Sequence, residues 1–495
     1  MAADQDLTAW KLDEIRRVER DAIASGDYPA PLLMERAGRA AFRALRQRWP
    51  LLENLLVVCG AGNNGGDGYL VAGLAREAGL AVQLFETSAQ PRSDEATRAR
   101  QFALKTGVQL LDRLPDALPD GSLVVDALLG IGFSGELRER EAGICRAINR
   151  LPAPCFSLDM PSGVNPACGS ADPDAVHADM TISFIGLKAG LLTGSAAAHA
   201  GQVITVGIGI GDQLSREPVE ILGSCSLSPW LQPAPADSHK GRRGTCLVIG
   251  GAEGMAGAAM LAAQAALMTG VGKVRLVCGS AVATGITGSF PEVMTVQVTH
   301  YRQLLPILED ASSLVVGPGL GRSAWSQQML YAALQKGIPT LLDADALRLL
   351  KHSKLKPHPA CLLTPHPGEA ADLLGKSSNE IQQDRFSALK DLVAGFGCAT
   401  LLKGNGSIVA SPEGGLAICR AGSPSMARAG MGDVLSGIVG GLLARRPESG
   451  VQALKAGTWL HAAAADQLLT EGGDWSVLPS RLVQQLPAFV RQLES

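Results

Sequence analysis

The stretch Val57-Val58-Cys59-Gly60-Ala61-Gly62-Asn63-Asn64-Gly65-Gly66-Asp67-Gly68 decides how the first half of the chain folds. The apolar run at residues 55–59 predicts a buried strand, and residues 69–75 predict a helix. Between them, a loop with five glycines would let the backbone approach a ligand, and the helix start would offer unpaired N–H groups to an anion. The loop's Asn and Asp oxygens suit a hard cation. A plain tight turn is the alternative, although it would not need so many glycines.

Length and composition limit the possible classes of protein. A chain of 495 residues exceeds one ordinary core, so two domains are expected. A net charge of −3 gives no broad attraction to nucleic acid or to anionic membranes, and neither is expected as a partner. No window reaches about 18 uninterrupted apolar residues, so no membrane span is expected. Ten scattered cysteines without CxxC pairs indicate a reducing, cytoplasmic location without a disulfide or zinc framework.

Both halves of the chain alternate short apolar runs with helical patterns, which predicts an α/β fold with a parallel sheet covered on both faces. Residues 211–238 are rich in Pro and Ser and lack periodicity, so they read as an inter-domain segment. Helices are predicted at residues 10–19, 32–49 and 256–269. The predicted strands are residues 55–59, 81–85, 123–127, 155–159, 180–184 and 203–206 in the first half, and 246–250, 274–278, 314–317, 340–343, 361–364 and 400–403 in the second.

Two carboxylates follow apolar strands in the first half. Asp126 and Asp159 each stand at a strand end, where a buried charge is costly unless it is paired, bound to a metal or catalytic. Capping of the following loop is the alternative for either residue. With Asn64 and Ser162 at neighbouring strand ends, a shared oxygen-lined site for a weakly charged cation such as potassium is plausible. Asp159 then remains as a candidate acid or base.

Three motifs of the first half carry a family resemblance. The loop at residues 62–68, the stretch Val125-Asp126-Ala127-Leu128-Leu129-Gly130-Ile131-Gly132 and the turn Asp159-Met160-Pro161-Ser162-Gly163 resemble the NAD(P)H-hydrate epimerase family. The resemblance implies potassium ligands at Asn64, Asp126 and Ser162, and a catalytic Asp159 that also contacts the substrate. The other substrate contacts it implies are Asn63, Asn64, Gly65, Gly66, Asp67, Gly130, Ile131, Gly132, Phe133, Ser134, Gly135 and Glu136.

The second half carries its chemistry on five loops. Gly317-Pro318-Gly319-Leu320-Gly321 can bring backbone close to a ligand, and Asp343 and Asp345 end a predicted strand. His366 lies between two prolines that fix its backbone, although a lone His is more often structural. Gly430-Met431-Gly432-Asp433 opens an apolar helix, which gives backbone N–H groups for an anion and a carboxylate beside them. An N-cap role for that Asp is the alternative. A loop beginning at Lys403 adds a cation.

These loops, with Ser238-His239-Lys240-Gly241 before them, resemble the ribokinase-like superfamily and, within it, the ADP-dependent NAD(P)H-hydrate dehydratase family. The resemblance implies a ribokinase-like α/β domain that uses Mg²⁺ and takes ADP as a co-substrate. It implies a catalytic Asp433, and substrate contacts at Ala258, Gly319, His366 and Asp433. It implies adenine-nucleotide contacts at Lys403, Gly404, Asn405, Gly406, Ser407 and Gly432.

The resulting hypothesis is a bifunctional repair enzyme of two α/β domains. Residues 1–215 would form a Rossmann-like epimerase domain with a doubly wound sheet, residues 216–236 a linker, and residues 237–495 the dehydratase. The substrate would be NAD(P)HX, the coenzyme hydrated at C6 of the nicotinamide ring, whose R and S forms the first domain interconverts. The second domain would phosphorylate the S form with ADP and eliminate phosphate.

Two rival hypotheses remain open from the sequence. The second half could be a ribokinase-like small-molecule kinase that releases a stable phosphorylated product. The first half could be a non-catalytic nucleotide-binding module. A homo-oligomer is also expected, because the apolar helices at the N-terminus could form a subunit contact instead of covering the sheet.

Overall fold

The computed structural model describes residues 8–232, 237, 239–279 and 290–494, which form two compact units. The first unit runs from Thr8 to Val219, and the second begins at Glu220. The chain therefore passes from one unit to the other within residues 216–236. Among the described residues, none of the helices combines the length and apolar character that crossing a bilayer requires.

A parallel sheet organises the first unit, as the sequence predicts. Seven of its strands stand in the order β4-β3-β2-β5-β6-β7-β9, and every neighbouring pair is parallel. The chain moves outward from β2 and returns to β5 on the other side, so the topological switch lies between these two strands. The strands of the first unit, including β1 and β8 outside this sheet, are β1 (Thr8–Trp10), β2 (Asn54–Cys59), β3 (Ala81–Glu86), β4 (Gln109–Leu111), β5 (Ser122–Ala127), β6 (Cys155–Leu158), β7 (Met180–Phe184), β8 (Leu187–Lys188) and β9 (Gln202–Val206).

Helices cover this sheet on both faces. The two predicted helices that precede the first long strand bury Ile15, Val18, Leu33 and Leu45 in the same apolar cluster as β2 and β5, so they cover the sheet. The helices of the unit are α1 (Leu12–Ser25), α2 (Ala30–Arg48), α3 (Asn63–Glu77), α4 (Asp94–Lys105), α5 (Glu139–Arg150) and α6 (Ala196–His199).

The glycine-rich stretch is helical, and the prediction of a loop that continues to Gly68 is wrong. Helix α3 begins at Asn63, six residues earlier than expected. Its glycines serve close packing: a Cβ on Gly65 would lie 2.0 Å from the Gly60 carbonyl oxygen, and one on Gly66 would lie 2.5 Å from Met34. A Cβ on Gly68 would meet β5 in the same way, 2.5 Å from the Cβ of Ala127. The helix therefore approaches its neighbours more closely than any side chain would allow.

The second unit is built on a mixed sheet in the order β13-β12-β11-β14-β15-β16-β17-β18-β19. Pairs from β13 to β17 are parallel, and β18 and β19 continue the sheet antiparallel. The switch point lies between β11 and β14. Strand β10 (Pro218–Ile221) contains the residues at which the sequence passes from the first unit to the second. The strands that follow it are β11 (Thr245–Ile249), β12 (Lys273–Cys278), β13 (Val293–Gln297), β14 (Ser313–Val316), β15 (Thr340–Leu342), β16 (Cys361–Leu363), β17 (Ala399–Leu402), β18 (Ser407–Ala410) and β19 (Leu416–Cys419).

The helices of the second unit bury small residues against the sheet. They are α7 (Ser228–Leu231), α8 (Ala256–Met268), α9 (Tyr301–Leu308), α10 (Ala324–Gln335), α11 (Asp345–His352), α12 (Pro367–Leu374), α13 (Ser378–Gln383), α14 (Arg385–Phe396), α15 (Met431–Arg445), α16 (Gly450–Gly472) and α17 (Pro479–Glu494). Helix α15 packs on α8 at Gly437, where a Cβ would lie 2.1 Å from the Ala262 carbonyl oxygen. The long apolar helix opened by the Gly-x-Gly-Asp motif is therefore confirmed, and it is central to the core.

The predicted linker has regular structure over much of its length. Strand β10 and helix α7 lie inside residues 216–236, and Leu222, Leu227 and Trp230 are buried in the core of the second unit. The Trp230 indole N–H donates to the Leu442 carbonyl at 3.0 Å. The Pro and Ser content thus concealed three apolar anchors, and the role of residues 216–236 as a linker stays a prediction.

We expect Gly65→Ala to destabilise the first unit by about 1–3 kcal/mol, because the new Cβ would meet backbone that cannot rotate away. Urea unfolding followed by circular dichroism measures the effect. Gly132→Ala is the matched control: the backbone of Gly132 is not left-handed, and a Cβ added there would have no neighbouring atom within 4 Å, so the change should stay within about 0.5 kcal/mol. Equal losses in both variants would contradict the packing role of Gly65.

Candidate active sites

A cavity of about 850 Å³ opens in the first unit where strands β2 and β5 end. This is the switch point of the sheet, the position at which open α/β sheets bind ligands. Gly65, Gly66 and Gly135 do not line the cavity. The predicted contact residues that do line it are Asn63, Asn64, Asp67, Gly130, Ile131, Gly132, Phe133, Ser134, Glu136 and Asp159.

The deep end of this cavity holds an ion pair. Asp159 has a left-handed backbone at φ 63°, and its carboxylate accepts from the ammonium of Lys188 at 2.5 Å. Lys188 is only 1% exposed, and it also donates to the Ser183 hydroxyl at 3.0 Å and the Phe184 carbonyl at 3.2 Å. The sequence prediction missed Lys188, although a lysine directly after a buried strand within an apolar run was a usable signal.

Two of the other carboxyl groups that line this cavity interact with the charge of Asp159. Asp67 is 9% exposed, and Glu19 on α1 is half-buried. Burial raises the pKa of Asp67 well above its ordinary value, and the nearby charges of Asp159 and Glu19 raise it further. Burial and the Asp159 charge likewise raise the pKa of Glu19, while Lys188 and Arg16 oppose that shift. Glu19 escaped prediction because nothing in a helical pattern marks which face meets a distant cavity.

The predicted cation ligands meet around the Leu129 backbone. The Ser162 hydroxyl donates to Asp126 at 2.5 Å, and the Leu129 N–H donates to that hydroxyl at 2.8 Å. The Asn64 amide N–H donates to the Leu129 carbonyl at 2.9 Å, and the buried Asn64 Oδ1 has no hydrogen-bond partner among the residues that the structure describes. An orphaned acceptor beside a hydroxyl and a carbonyl fits a cation with oxygen ligands.

The side chain of Asp126, the third predicted cation ligand, makes more hydrogen bonds than that of Asn64 or Ser162. It is fully buried, and its two oxygens accept four hydrogen bonds, from Leu128 N–H, Ser157 Oγ, Ser162 N–H and Ser162 Oγ. Burial raises its pKa, and these donors oppose that shift. The structure therefore gives Asp126 a clear role in fixing the turn that contains Ser162.

Three arginines that the sequence prediction missed stand at the mouth of the cavity. Arg92, Arg138 and Arg140 line it, and all three are at least partly exposed. The Arg140 guanidinium donates to the Thr87 carbonyl at 3.0 Å, which holds it against the rim. The cavity thus has the Lys188–Asp159 ion pair at one place and three arginines at another, which could bind anionic groups of a ligand.

In the second unit, Asp343 joins two of the predicted loops. Its carboxylate accepts from the Lys403 ammonium at 2.7 Å through one oxygen and from the Ser436 hydroxyl at 2.7 Å through the other. Ser436 belongs to helix α15, so the contact ties the start of that helix to β15 and β17. A Cβ placed on Gly432 would lie 3.4 Å from the Lys403 Nζ, so these two predicted nucleotide contacts are neighbours.

Asp433 lies in the first turn of α15, shortly after the left-handed Gly430 at φ 96°. Burial, followed by the charge of Asp343, raises the pKa of Asp433 to about 7, and Lys403 opposes the shift. No side-chain cap closes this helix start, so the N-cap alternative for Asp433 is wrong: it stands inside the helix. A carboxyl with such a pKa can exchange protons in neutral solution.

The imidazole of His366 has a structural task. Its Nδ1 accepts from the backbone N–H groups of Gly368 and Glu369 at 3.0 and 3.2 Å, which caps helix α12. Glu369 returns the capping bond by accepting from the His366 N–H at 2.9 Å. The ring is about half exposed, so a contact with substrate stays a prediction.

The remaining predicted residues fall into two groups. Gly319, at φ 57°, lies beside Ala258: a Cβ there would be 3.2 Å from the Ala258 Cβ.

The segment from Lys403 to Ser407 is the turn between β17 and β18, where the Gly404 N–H donates to the Ser407 hydroxyl at 3.2 Å. Buried Arg385 donates to the carbonyls of Leu402 and Lys403 and fixes the base of this turn. Ser238 lies outside the described residues.

Comparison with known proteins follows the division into two units. Residues 31–190 match the sequence model for the YjeF-related protein N-terminus, and residues 246–488 match that for NAD(P)H-hydrate dehydratase. A bifunctional NAD(P)H-hydrate repair enzyme of Coxiella burnetii is 40% identical over 483 residues, covering 96% of this chain and 98% of the relative. Its counterpart in Escherichia coli is 40% identical over 489 residues, covering 98% and 94%.

Solved structures resemble the second unit. An ADP/ATP-dependent NAD(P)H-hydrate dehydratase from Bacillus subtilis, co-crystallised with ATP and Mg²⁺, superposes with a TM-score of 0.50 at 30% identity, covering 55% of this chain and 97% of that one. A ribokinase-like superfamily protein from Enterococcus faecalis gives a TM-score of 0.51 at 26% identity, covering 55% and 95%. The predicted ribokinase-like fold is confirmed.

We expect Asp433→Asn to gain stability relative to the unsubstituted protein as the pH rises from about 4 to 7. The folded-state pKa of Asp433, about 7, lies above the ordinary 3.8, so between these two values the unfolded chain has lost a proton that the folded protein still keeps, and the stability of the unsubstituted protein falls with rising pH. Asn cannot ionise. Melting temperatures at four pH values measure the difference, with the exposed Glu448→Gln as a control that should show no such trend. A difference that stays constant with pH would contradict the raised pKa.

Proposed function

Because the chain belongs to the family of bifunctional NAD(P)H-hydrate repair enzymes, we propose that its first unit epimerises R- and S-NAD(P)HX and that its second unit dehydrates the S form with ADP. The family resemblance of the sequence motifs is thereby confirmed. The relatives match both units, so neither the kinase nor the binding-module hypothesis is retained. The observation that carries the proposal is that one chain contains two sites: the cavity with the Lys188–Asp159 ion pair in the first unit, and Asp433 in the first turn of α15 in the second.

In the first unit, we assign Asp159 to the reacting end of the substrate. Its carboxylate lies 2.5 Å from the Lys188 ammonium, and a carboxylate in this position would stabilise the positive charge that develops on a nicotinamide ring when the C6–oxygen bond breaks. The cavity volume of about 850 Å³ accommodates a dinucleotide. The arginines at the mouth would then bind its phosphates.

We further propose that a K⁺ ion binds to Asn64 and Ser162, and that Asp126 supports this site by accepting a hydrogen bond from the Ser162 hydroxyl. The support is the buried Asn64 Oδ1 that lacks a partner and the neighbouring hydroxyl and carbonyl oxygens. A bound K⁺ would supply fixed positive charge beside the helix start that faces the substrate. Asn64 and Ser162 would hold it, while Asp126 orients the Ser162 hydroxyl through its 2.5 Å hydrogen bond.

In the second unit, we assign Asp433 as the base that takes the proton of the C6 hydroxyl while that oxygen attacks the terminal phosphoryl group of ADP. A pKa of about 7 suits this transfer at neutral pH. The products are AMP and a phosphorylated intermediate, which then loses phosphate to regenerate NAD(P)H. The backbone N–H groups at the start of α15 lie where a phosphate would be stabilised.

Lys403 and the turn that follows it would hold the nucleotide. The described residues contain no cluster of three His, Cys, Asp or Glu side chains that could cage a metal. This fits Mg²⁺, which binds through nucleotide phosphates, water and few protein carboxylates and would neutralise phosphate charge. ADP and ATP present the same phosphates to the turn. We propose ADP as the donor, as the family resemblance implies.

We also propose a cytoplasmic location and assembly into a homo-oligomer. All ten cysteines are free thiols, which supports a reducing compartment. We propose no nucleic-acid or membrane partner.

We expect Asp159→Asn and Asp433→Asn to separate the two activities, so that each variant is the control for the other. Asp159→Asn should lose epimerisation by about 10²–10⁴-fold and keep dehydration of the S hydrate, and Asp433→Asn should do the reverse. Dehydration is followed by free phosphate and by the absorbance of the reduced nicotinamide, and epimerisation by separating the R and S forms. Asp159→Asn with unchanged epimerisation would refute the assignment.

We expect epimerisation to be faster in K⁺ than in a tetramethylammonium salt of equal ionic strength, because the larger ion cannot enter an oxygen-lined corner. Asn64→Leu removes the orphaned oxygen at similar volume and should abolish the difference. The dehydratase rate of the same preparations reports correct folding. An unsubstituted protein insensitive to the cation would eliminate the K⁺ proposal.

A further inference from the structure

We propose that Asp67 is the general acid of the epimerase cavity: it keeps its proton, and it delivers that proton to the departing C6 hydroxyl. This inference rests on the epimerase function proposed above. Helix α3 places Asp67 on the same face as Asn63 and Asn64, four and three residues earlier, and all three side chains line the cavity. The intervening glycines point the other way, into the packed sheet and α2.

The balance of charge at the deep end requires a proton on one of its acids. Three carboxyl groups, Glu19, Asp67 and Asp159, share that end of the cavity with the single ammonium of Lys188. Lys188 is paired with Asp159, and carboxylates that face each other across one cavity without a cation between them repel each other. At least one of the three therefore binds a proton in neutral solution.

Hydrogen bonding selects Asp67 as the group that keeps its proton. Asp159 accepts from Lys188 at 2.5 Å and from the Phe184 N–H at 3.3 Å, so both of these partners are hydrogen-bond donors. Glu19 is more exposed than Asp67, and Arg16 on the preceding turn of its helix favours the charged form. Within the part of the chain that the structure describes, no donor bonds to the Asp67 carboxyl, and only 9% of the residue is exposed.

The other titratable groups on the elements packed against α3 do not change this assignment. Cys59 on β2 is buried, and its own pKa is raised well above the ordinary value, so it stays a neutral thiol. Glu86 on β3 is bound by Arg100 of α4 at 2.6 Å, and Asp126 on β5 has its four donors. No cation other than Lys188 lines the deep end near Asp67 among the described residues.

A neutral acid facing an ionised carboxylate suits reversible cleavage at C6. Asp67 O–H protonates the hydroxyl, the C6–oxygen bond breaks with its electron pair leaving as water, and the N1 lone pair forms an N1–C6 double bond. The carboxylates of Asp67 and Asp159 balance the resulting cation. Water then adds to the opposite face of C6, the double-bond pair returns to N1, and the released proton restores Asp67. Atoms, charge and oxidation state are unchanged over the cycle.

Asp67→Asn is the direct test, because Asn has the shape and neutrality of the protonated acid but cannot donate a proton of comparable acidity. We expect epimerisation above the uncatalysed rate to fall by about 10²–10⁴-fold, with NAD(P)HX affinity changed less than about threefold. Dehydration of the S hydrate by the same chain reports correct folding. A variant that binds the substrate and retains more than about a tenth of the rate would overturn the proposal.

Glu19→Gln tests the charge balance without touching the acid. The active form of Asp67 is protonated, so kcat/KM for epimerisation should fall as pH rises through the pKa of Asp67. Removing the Glu19 charge lowers that pKa and should move the alkaline limb down by about 0.5–1 pH unit. Asp21→Asn, an exposed acid on the same helix that is absent from the cavity, should leave the limb in place.

The outcomes distinguish this inference from the proposed function. An unsubstituted protein that cannot interconvert the R and S hydrates would remove the epimerase function itself. An active protein whose Asp67→Asn variant is also active, or whose alkaline limb does not respond to Glu19→Gln, would refute the general-acid role alone.

Discussion

The constraint on which the rest of the structure depends is that every charge buried at the carboxyl ends of the two sheets must be satisfied locally. Asp126 accepts four hydrogen bonds, Lys188 has three acceptors, and Asp343 binds both Lys403 and Ser436. Each of these groups ties together loops that are distant in sequence. The cost of burying charge thus becomes a means of fixing active-site loops in register with the strands that precede them.

Much of the fold could be predicted from the sequence, because buried parallel strands are continuous apolar runs. All the predicted strands appear within one residue of their expected limits. Helix α3 shows where periodicity fails: its glycines hid the helical pattern, since they are required by contacts with Gly60, Met34 and Ala127 that no local rule reveals. The anchors around Trp230 were hidden for a related reason, namely that three apolar residues among prolines carry no period.

The candidate sites were predictable only where the chemistry lies in a contiguous motif. Asp67, Asp159 and Asp433 stand in such motifs, and the structure places each at a sheet edge or helix start. Glu19, Lys188 and Arg385 come from other segments, and their roles depend on tertiary contacts alone. The His366 ring illustrates the opposite error, since its conspicuous flanking prolines mark a helix cap as much as a binding group.

The burial of Trp230 has a practical consequence for anyone who wishes to produce the second half by itself. A fragment that starts at β11 would lack Trp230. The indole N–H of Trp230 donates to the Leu442 carbonyl, and the Trp230 carbonyl accepts from the Arg445 guanidinium at 2.9 Å. It would also lack Leu222, whose N–H donates to the Ile418 carbonyl of β19, the strand that neighbours β10. A shortened protein should therefore begin ahead of Pro218, so that the recombinant product retains strand β10 and the buried side chains of Leu222, Leu227 and Trp230.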